Sequence, residues 1–250
     1  MHILVVGGGM GGTILANNLA RRLSGELEQG SSKITMLSAS DKHMYQPGLL
    51  YVCVGKMSTS ELYRDQKSLL ESSIDFHVDP VEKFDMDNNS VTTKSGKKIS
   101  YDILCIATGS RGNAEGIPGL AEHSCQFYTE ADALNMYKSL QKFEGGKVVV
   151  ATGVPHKCPM SPLEITFFLI DYFKKRGIWD KVDLHYTYPI GRVHSLEPVA
   201  NWAAPEFDKL GVTYETLFNM KEVVPGKVIS EEDSSAEFDL LVTVPPHKGM

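Results

Sequence analysis

The chain has 250 residues, 42% hydrophobic and 22% charged, with a formal net charge of -6. That is ordinary globular composition, enough for one large or two medium domains, and the acidic balance argues against a nucleic-acid partner. No apolar run is long enough to span a bilayer, and the four cysteines lack the paired spacing of a disulfide framework.

Residues 2–6 read as a strand rather than a signal peptide, because no basic region precedes them and a glycine turn follows at once. A cytoplasmic chain is therefore expected. After the turn Gly7-Gly8-Gly9-Met10-Gly11-Gly12 comes a helix to about Leu23, with Leu15, Leu19 and Leu23 on one face, then a strand over 33–37. This strand–turn–helix–strand opens a doubly wound sheet. Residues 61–72 read as a helix. Runs at 74–78, 81–84, 91–93 and 99–101, broken by Asp87-Asn88-Asn89 and Ser95-Gly96, predict a small antiparallel meander. Residues 102–107 form a buried strand ending in Thr108-Gly109. The glycine and proline of 112–119 mark a crossing into a second unit. That unit is expected to hold helices near 129–142 and 163–175 and strands near 147–151, 182–188, 212–217, 228–230 and 238–244. The acids Glu231-Glu232-Asp233 read as a solvated loop.

Gly7, Gly9 and Gly12 have the spacing G-x-G-x-x-G. The first permits the tight turn, the second lets backbone approach a pyrophosphate, and the third allows close helix–strand contact. The helix N-terminus adds free N–H groups and positive dipole. The acid usual at the end of the second strand is missing. Ser38 holds its place, followed by Ala39, Ser40 and Asp41; a hydroxyl binds ribose less firmly than a carboxylate. With Met10, Gly11, Val81, Ala107, Thr108 and Gly109, these residues form the expected dinucleotide site. Ala107-Thr108-Gly109 at the end of a strand favours FAD.

The joint after the 147–151 strand is different. A two-domain flavin reductase would carry a second glycine-rich fingerprint there; this chain has Pro155-His156-Lys157-Cys158-Pro159-Met160-Ser161-Pro162-Leu163-Glu164. Three prolines remove N–H donors and stiffen the loop, which suits a nucleophile mount better than a phosphate cradle. Cys158 lies just ahead of a helix, beside His156 and Lys157, and dipole and cations favour thiolate. Ser161 is read as the helix N-cap, Pro162 as its first residue and Glu164 as the capping-box partner or a proton relay. Cys105 reads as core, Cys53 as packed, and Cys125 as a candidate second redox cysteine. No histidine has metal-ligand spacing, so no metal site is expected.

These residues resemble sulfide:quinone oxidoreductases and the flavin subunit of flavocytochrome c sulfide dehydrogenases. The anchors are 5–12, Leu37-Ser38-Ala39-Ser40-Asp41 with Gln46-Pro47, Ala107-Thr108-Gly109 and 157–164; Phe127-Tyr128-Thr129-Glu130 and Pro245-Pro246-His247-Lys248-Gly249 add to them. The resemblance implies an α/β fold of two Rossmann-like doubly wound domains with a small antiparallel β-meander. The FAD-binding part is expected over 1–112, a second domain carrying the redox cysteine over 113–245, and the start of a return to the first over 246–250. It implies FAD as cofactor, Cys158 as the persulfide-forming cysteine, sulfide as substrate, quinone as acceptor and a homo-oligomer. In such proteins a last FAD-domain strand, a partner cysteine and membrane-contacting helices lie beyond the segment matched here. Peripheral membrane contact at the inner face would come from that portion, and Cys125 is left as the candidate partner of Cys158. Two other readings are a nicotinamide-dependent flavin reductase of the type II NADH dehydrogenase kind, and a non-catalytic relative that keeps the fold without turnover.

Overall fold

The structure is a computed structural model describing residues 1–250. It divides into two units, Met1–Tyr45 with Leu62–Gly109 and Gly249–Met250, and Gln46–Glu61 with Ser110–Lys248.

The first unit runs β1 (His2–Val6), α1 (Met10–Arg22), α2 (Ser24–Glu28), β2 (Lys33–Ser38), β3 (Lys42–Met44), β4 (Tyr63–Asp65), β5 (Ile74–Val78), β6 (Val81–Asp85), β7 (Ser90–Thr93), β8 (Lys98–Ser100) and β9 (Ile103–Ile106). Its main sheet is parallel, in the order β5-β2-β1-β9. Alternate side chains of β1 serve opposite faces, as strand geometry requires. Ile3 and Val5 pack with Ala16 and Ala20 of α1, while Leu4 and Val6 pack with Val91, Ile99 and Tyr101 of the meander side.

The meander itself has three strands, β6-β7-β8. The 74–78 run expected in it lies in the parallel sheet as β5, paired with β2. Short alternating runs look alike in both settings, and only the partner decides. The helix expected over 61–72 does not form. Tyr63–Asp65 pairs antiparallel with Lys42–Met44, and Asp65 then accepts from Ser68 N at 2.7 Å to start a single 3-10 turn. β9 is less buried than expected, with Ile103 and Ile106 exposed, because it is an edge strand. Cys105 on it is half-buried against the α1 side.

The second unit adds α3 (Leu49–Cys53), β10 (Ser110–Gly112), α4 (Leu120–His123), α5 (Glu130–Lys142), β11 (Gly146–Thr152), α6 (Ser161–Lys175), β12 (Val182–Tyr188), α7 (Glu197–Leu210), β13 (Thr213–Thr216), β14 (Met220–Val224), β15 (Lys227–Ser230), β16 (Ser235–Glu237), β17 (Leu240–Val244) and β18 (His247–Gly249). Its parallel sheet has the order β13-β12-β11-β17. Antiparallel β14-β15-β16 covers one face, where Val149, Ala151 and Leu241 meet Phe218, Met220, Val223 and Val228. Helix α7, absent from the sequence reading, sets Phe207 against Tyr186 at 5.1 Å between ring centroids. Both units are α/β with a doubly wound parallel core.

Candidate functional site

In the first unit the glycine turn joins β1 to α1. Gly7 has φ +117°, and a Cβ there would sit 2.2 Å from the Ala107 carbonyl oxygen. A Cβ on Gly12 would sit 1.9 Å from the Gly7 carbonyl oxygen. These two glycines let turn, helix and β9 close on one another. Gly9 and Gly11 face open space, with no atom within 4 Å of their Cβ positions. Gly9 is the extended N-cap of α1, no side chain caps the helix, and its last turn carries Arg21 and Arg22. Uncapped N–H groups with the dipole behind them, beside a surface where a side chain would have room, fit a pyrophosphate.

Three residues that the sequence reading did not mark fix this turn from behind. Gln66 is fully buried and donates from Nε2 to Thr13 Oγ1 at 2.9 Å. Thr13 Oγ1 donates to the Gly8 carbonyl at 3.3 Å. His43 Nδ1 lies 3.1 Å from that carbonyl and 3.0 Å from Gln66 Oε1. Both are acceptors, so Nδ1 carries the proton. The signal in sequence was a lone glutamine in a segment read as helix.

Ser38 is buried, faces Gly8, and accepts from Ser40 N at 3.2 Å. Ala39 and Ser40 are exposed just beyond it, as are Met10, Gly11, Thr108 and Gly109, with Ala107 half-buried. Val81 packs under the sheet against the Leu4 and Val6 side.

In the second unit the β11–α6 joint carries Cys158, a free, half-buried cysteine. The capping box expected here is not made. Met160 is the N-cap, in helical conformation and without a side-chain hydrogen bond. Ser161 lies inside the helix, with its hydroxyl donating to the Cys158 carbonyl at 3.0 Å and contacting Tyr128 Oη at 2.6 Å. Glu164 is exposed on the first turn, and its backbone N–H bonds the Met160 carbonyl.

Lys157 Nζ donates to Gln46 Oε1 at 2.5 Å. His156 is not the cation expected beside Cys158. Burial, foremost, pushes its pKa below the usual 6.5, partly countered by its bond to the Gly153 carbonyl, so it is neutral near pH 7. Its Nδ1 faces that carbonyl at 3.2 Å, which leaves Nε2 as acceptor for Tyr188 Oη at 3.4 Å. His247 is also held neutral by burial; its Nδ1 meets the Pro245 carbonyl at 2.9 Å and its ring meets Tyr128 edge-on at 4.4 Å.

Cys125 lies alongside β17, its N–H on the Leu241 carbonyl and its carbonyl on Thr243 N. Burial raises its thiol pKa, and Ser139 is its side-chain partner. Cys53 is fully buried, its thiol also pushed up by burial and then by Cys125. Cys125 thus faces Cys53 and Ser139, whereas Cys158 is felt by Tyr128 and Tyr188.

Residues 1–244 match the model of the family described as pyridine nucleotide-disulphide oxidoreductase. The mitochondrial sulfide:quinone oxidoreductase of Mus musculus is 29% identical over 232 residues, covering 90% of this chain and 50% of that protein. The sulfide-quinone reductase of Aquifex aeolicus (strain VF5) is 30% identical over 250 residues, covering 90% of this chain and 56% of its own. The crystal structure of the sulfide:quinone oxidoreductase from Aquifex aeolicus superposes with a TM-score of 0.86 at 26% identity, over 100% of this chain and 59% of that one. The chain spans about half the length of the curated relatives it matches. The family and these relatives are FAD-binding flavoproteins, a cofactor that the open glycine turn fits. By fold, by sequence and by its glycine turn, the chain belongs to the pyridine nucleotide-disulphide oxidoreductase family, on the side of the sulfide:quinone oxidoreductases.

Proposed function

We propose that this protein oxidises sulfide at Cys158 and delivers the electrons through FAD to a quinone. The observation that carries the reading is the β11–α6 joint, where a cysteine between prolines stands in place of a glycine cradle. Gly7, Gly9, Met10, Gly11 and Gly12 hold the cofactor's pyrophosphate on backbone N–H groups, with Ser38, Ala39, Ser40, Ala107, Thr108 and Gly109 around it. Cys158 binds the incoming sulfur: one S–S bond forms at Sγ, one S–H bond breaks, and an electron pair leaves. When bound, FAD supplies the two-electron acceptor for that step and the relay to quinone. Glu164, exposed on the first turn of α6, takes the released proton. Cys125 is the second cysteine in this unit open to a redox role, and its raised pKa suits a resting thiol rather than an attacking or a leaving one.

The test is anaerobic addition of sulfide to the FAD-loaded protein, followed by flavin absorbance. The parent bleaches, and Cys158→Ser does not, while its FAD content stays unchanged. Equal bleaching by Cys158→Ser overturns the assignment. Bleaching by NADH in place of sulfide moves the protein to the nicotinamide-dependent reading.

A further inference from the structure

Ser161 has one hydroxyl proton, and the structure commits it to the Cys158 carbonyl at 3.0 Å. The 2.6 Å contact with Tyr128 must therefore run the other way, with Tyr128 donating and Ser161 accepting. The result is a directed chain from the tyrosine hydroxyl through the serine hydroxyl to the backbone of the cysteine. It joins the segment before α5 to the first turn of α6.

The donor end is held firmly. The Tyr128 ring is stacked on Phe127 at 5.0 Å and packed against the edge of His247 at 4.4 Å. Burial, first, raises the pKa of its hydroxyl; the bond to Ser161 opposes this, and Cys158 and Glu164 add to the rise. Tyr128 thus keeps its proton at any physiological pH. Ser161 is itself buried, so water does not compete for its hydroxyl.

We propose that Tyr128 is a positioning residue for Cys158, acting through Ser161 to pin and polarise the carbonyl of the reactive residue. Successive hydroxyls strengthen one another as donors. The serine proton offsets the negative end of the Cys158 carbonyl, which would otherwise oppose negative charge on the neighbouring sulfur. The inference rests on the reading of Cys158 as the nucleophile and adds to it the residue that sets its reactivity.

The test is the rate of Cys158 alkylation by iodoacetamide at one fixed pH, read by peptide mass on the full FAD-loaded chain. Tyr128→Phe and Ser161→Ala each slow it by about threefold to tenfold, as loss of one link in a coupled hydroxyl pair should. The double variant is no slower than Ser161→Ala, because both act through one bond. Ser161→Thr, which restores a hydroxyl, returns the rate toward the parent. Alkylation of Tyr128→Phe at the parent rate overturns the proposal alone, and so does a Ser161→Thr as slow as Ser161→Ala. If Tyr128→Phe fails to fold, the serine pair still decides. A parent whose Cys158 reacts no faster than cysteines of the urea-unfolded chain overturns the nucleophile reading and the proposal with it.

Discussion

Single side chains decide how tightly the glycine turn closes. Gly12→Ala places a methyl group 1.9 Å from the Gly7 carbonyl oxygen. Backbone cannot swing aside as a side-chain tip can, so a loss of about 1–3 kcal/mol is expected from overpacking. Thermal unfolding and FAD titration should both register it. Gln66→Leu removes the donor to Thr13 and one acceptor of His43. Leaving these groups short of partners in a buried place costs about 1–3 kcal/mol, measured by urea unfolding. The spacing of Gly7, Gly9 and Gly12 made the turn readable in the sequence. The Gln66 network behind it was not, because it depends on β3 and β4 pairing across an intervening segment. Ser161 shows the same limit. Its pattern with Glu164 is that of a capping box, yet a tyrosine 33 positions away in the chain takes part in its bonding instead.

At the scale of elements, strands with long apolar runs and glycine or proline borders were legible, as were α5 and α6. Helix α7 was hidden by its interior proline. Pro198 lies in its first turn, where proline suits a helix start, but Pro205 lies in its interior and normally argues against a helix. The helix stands because Ala200, Ala203 and Phe207 form one buried stripe, and Phe207 touches Phe167, Tyr186 and Tyr214. Packing outweighs the lost hydrogen bond. Phe207→Ala should therefore cost about 3–5 kcal/mol, seen as a lower urea midpoint, whereas exposed Trp202→Ala on the same helix should cost far less. The 61–72 segment failed in the opposite sense. Its composition allows a helix, but pairing with β3 gives Tyr63–Asp65 hydrogen bonds that a helix there would forfeit.

For the molecule as a whole, three histidines tie stability to pH. Burial depresses the pKa values of His156, His185 and His247. Each is neutral when folded and gains a proton more readily once unfolded. The unfolded chain thus binds more protons below about pH 6.5, and stability falls as pH drops from there toward the lower folded values. Urea unfolding at about pH 7.5 and about pH 5.5 should show the decline. His247→Gln should lessen it. The groups facing His247 are Tyr128, His156 and Lys157, and the two cations, when charged, push in the same direction as burial. No helix is long and apolar enough to cross a membrane.

Gly8 and Ser38 constrain each other's future. A Cβ on Gly8 would lie 2.5 Å from Ser38 Oγ, and Ser38 is itself buried. Residue 8 therefore cannot gain a side chain while Ser38 keeps its place at the end of β2. Any change at residue 8 would have to carry the end of β2 with it, so the two segments can drift in sequence only as a unit.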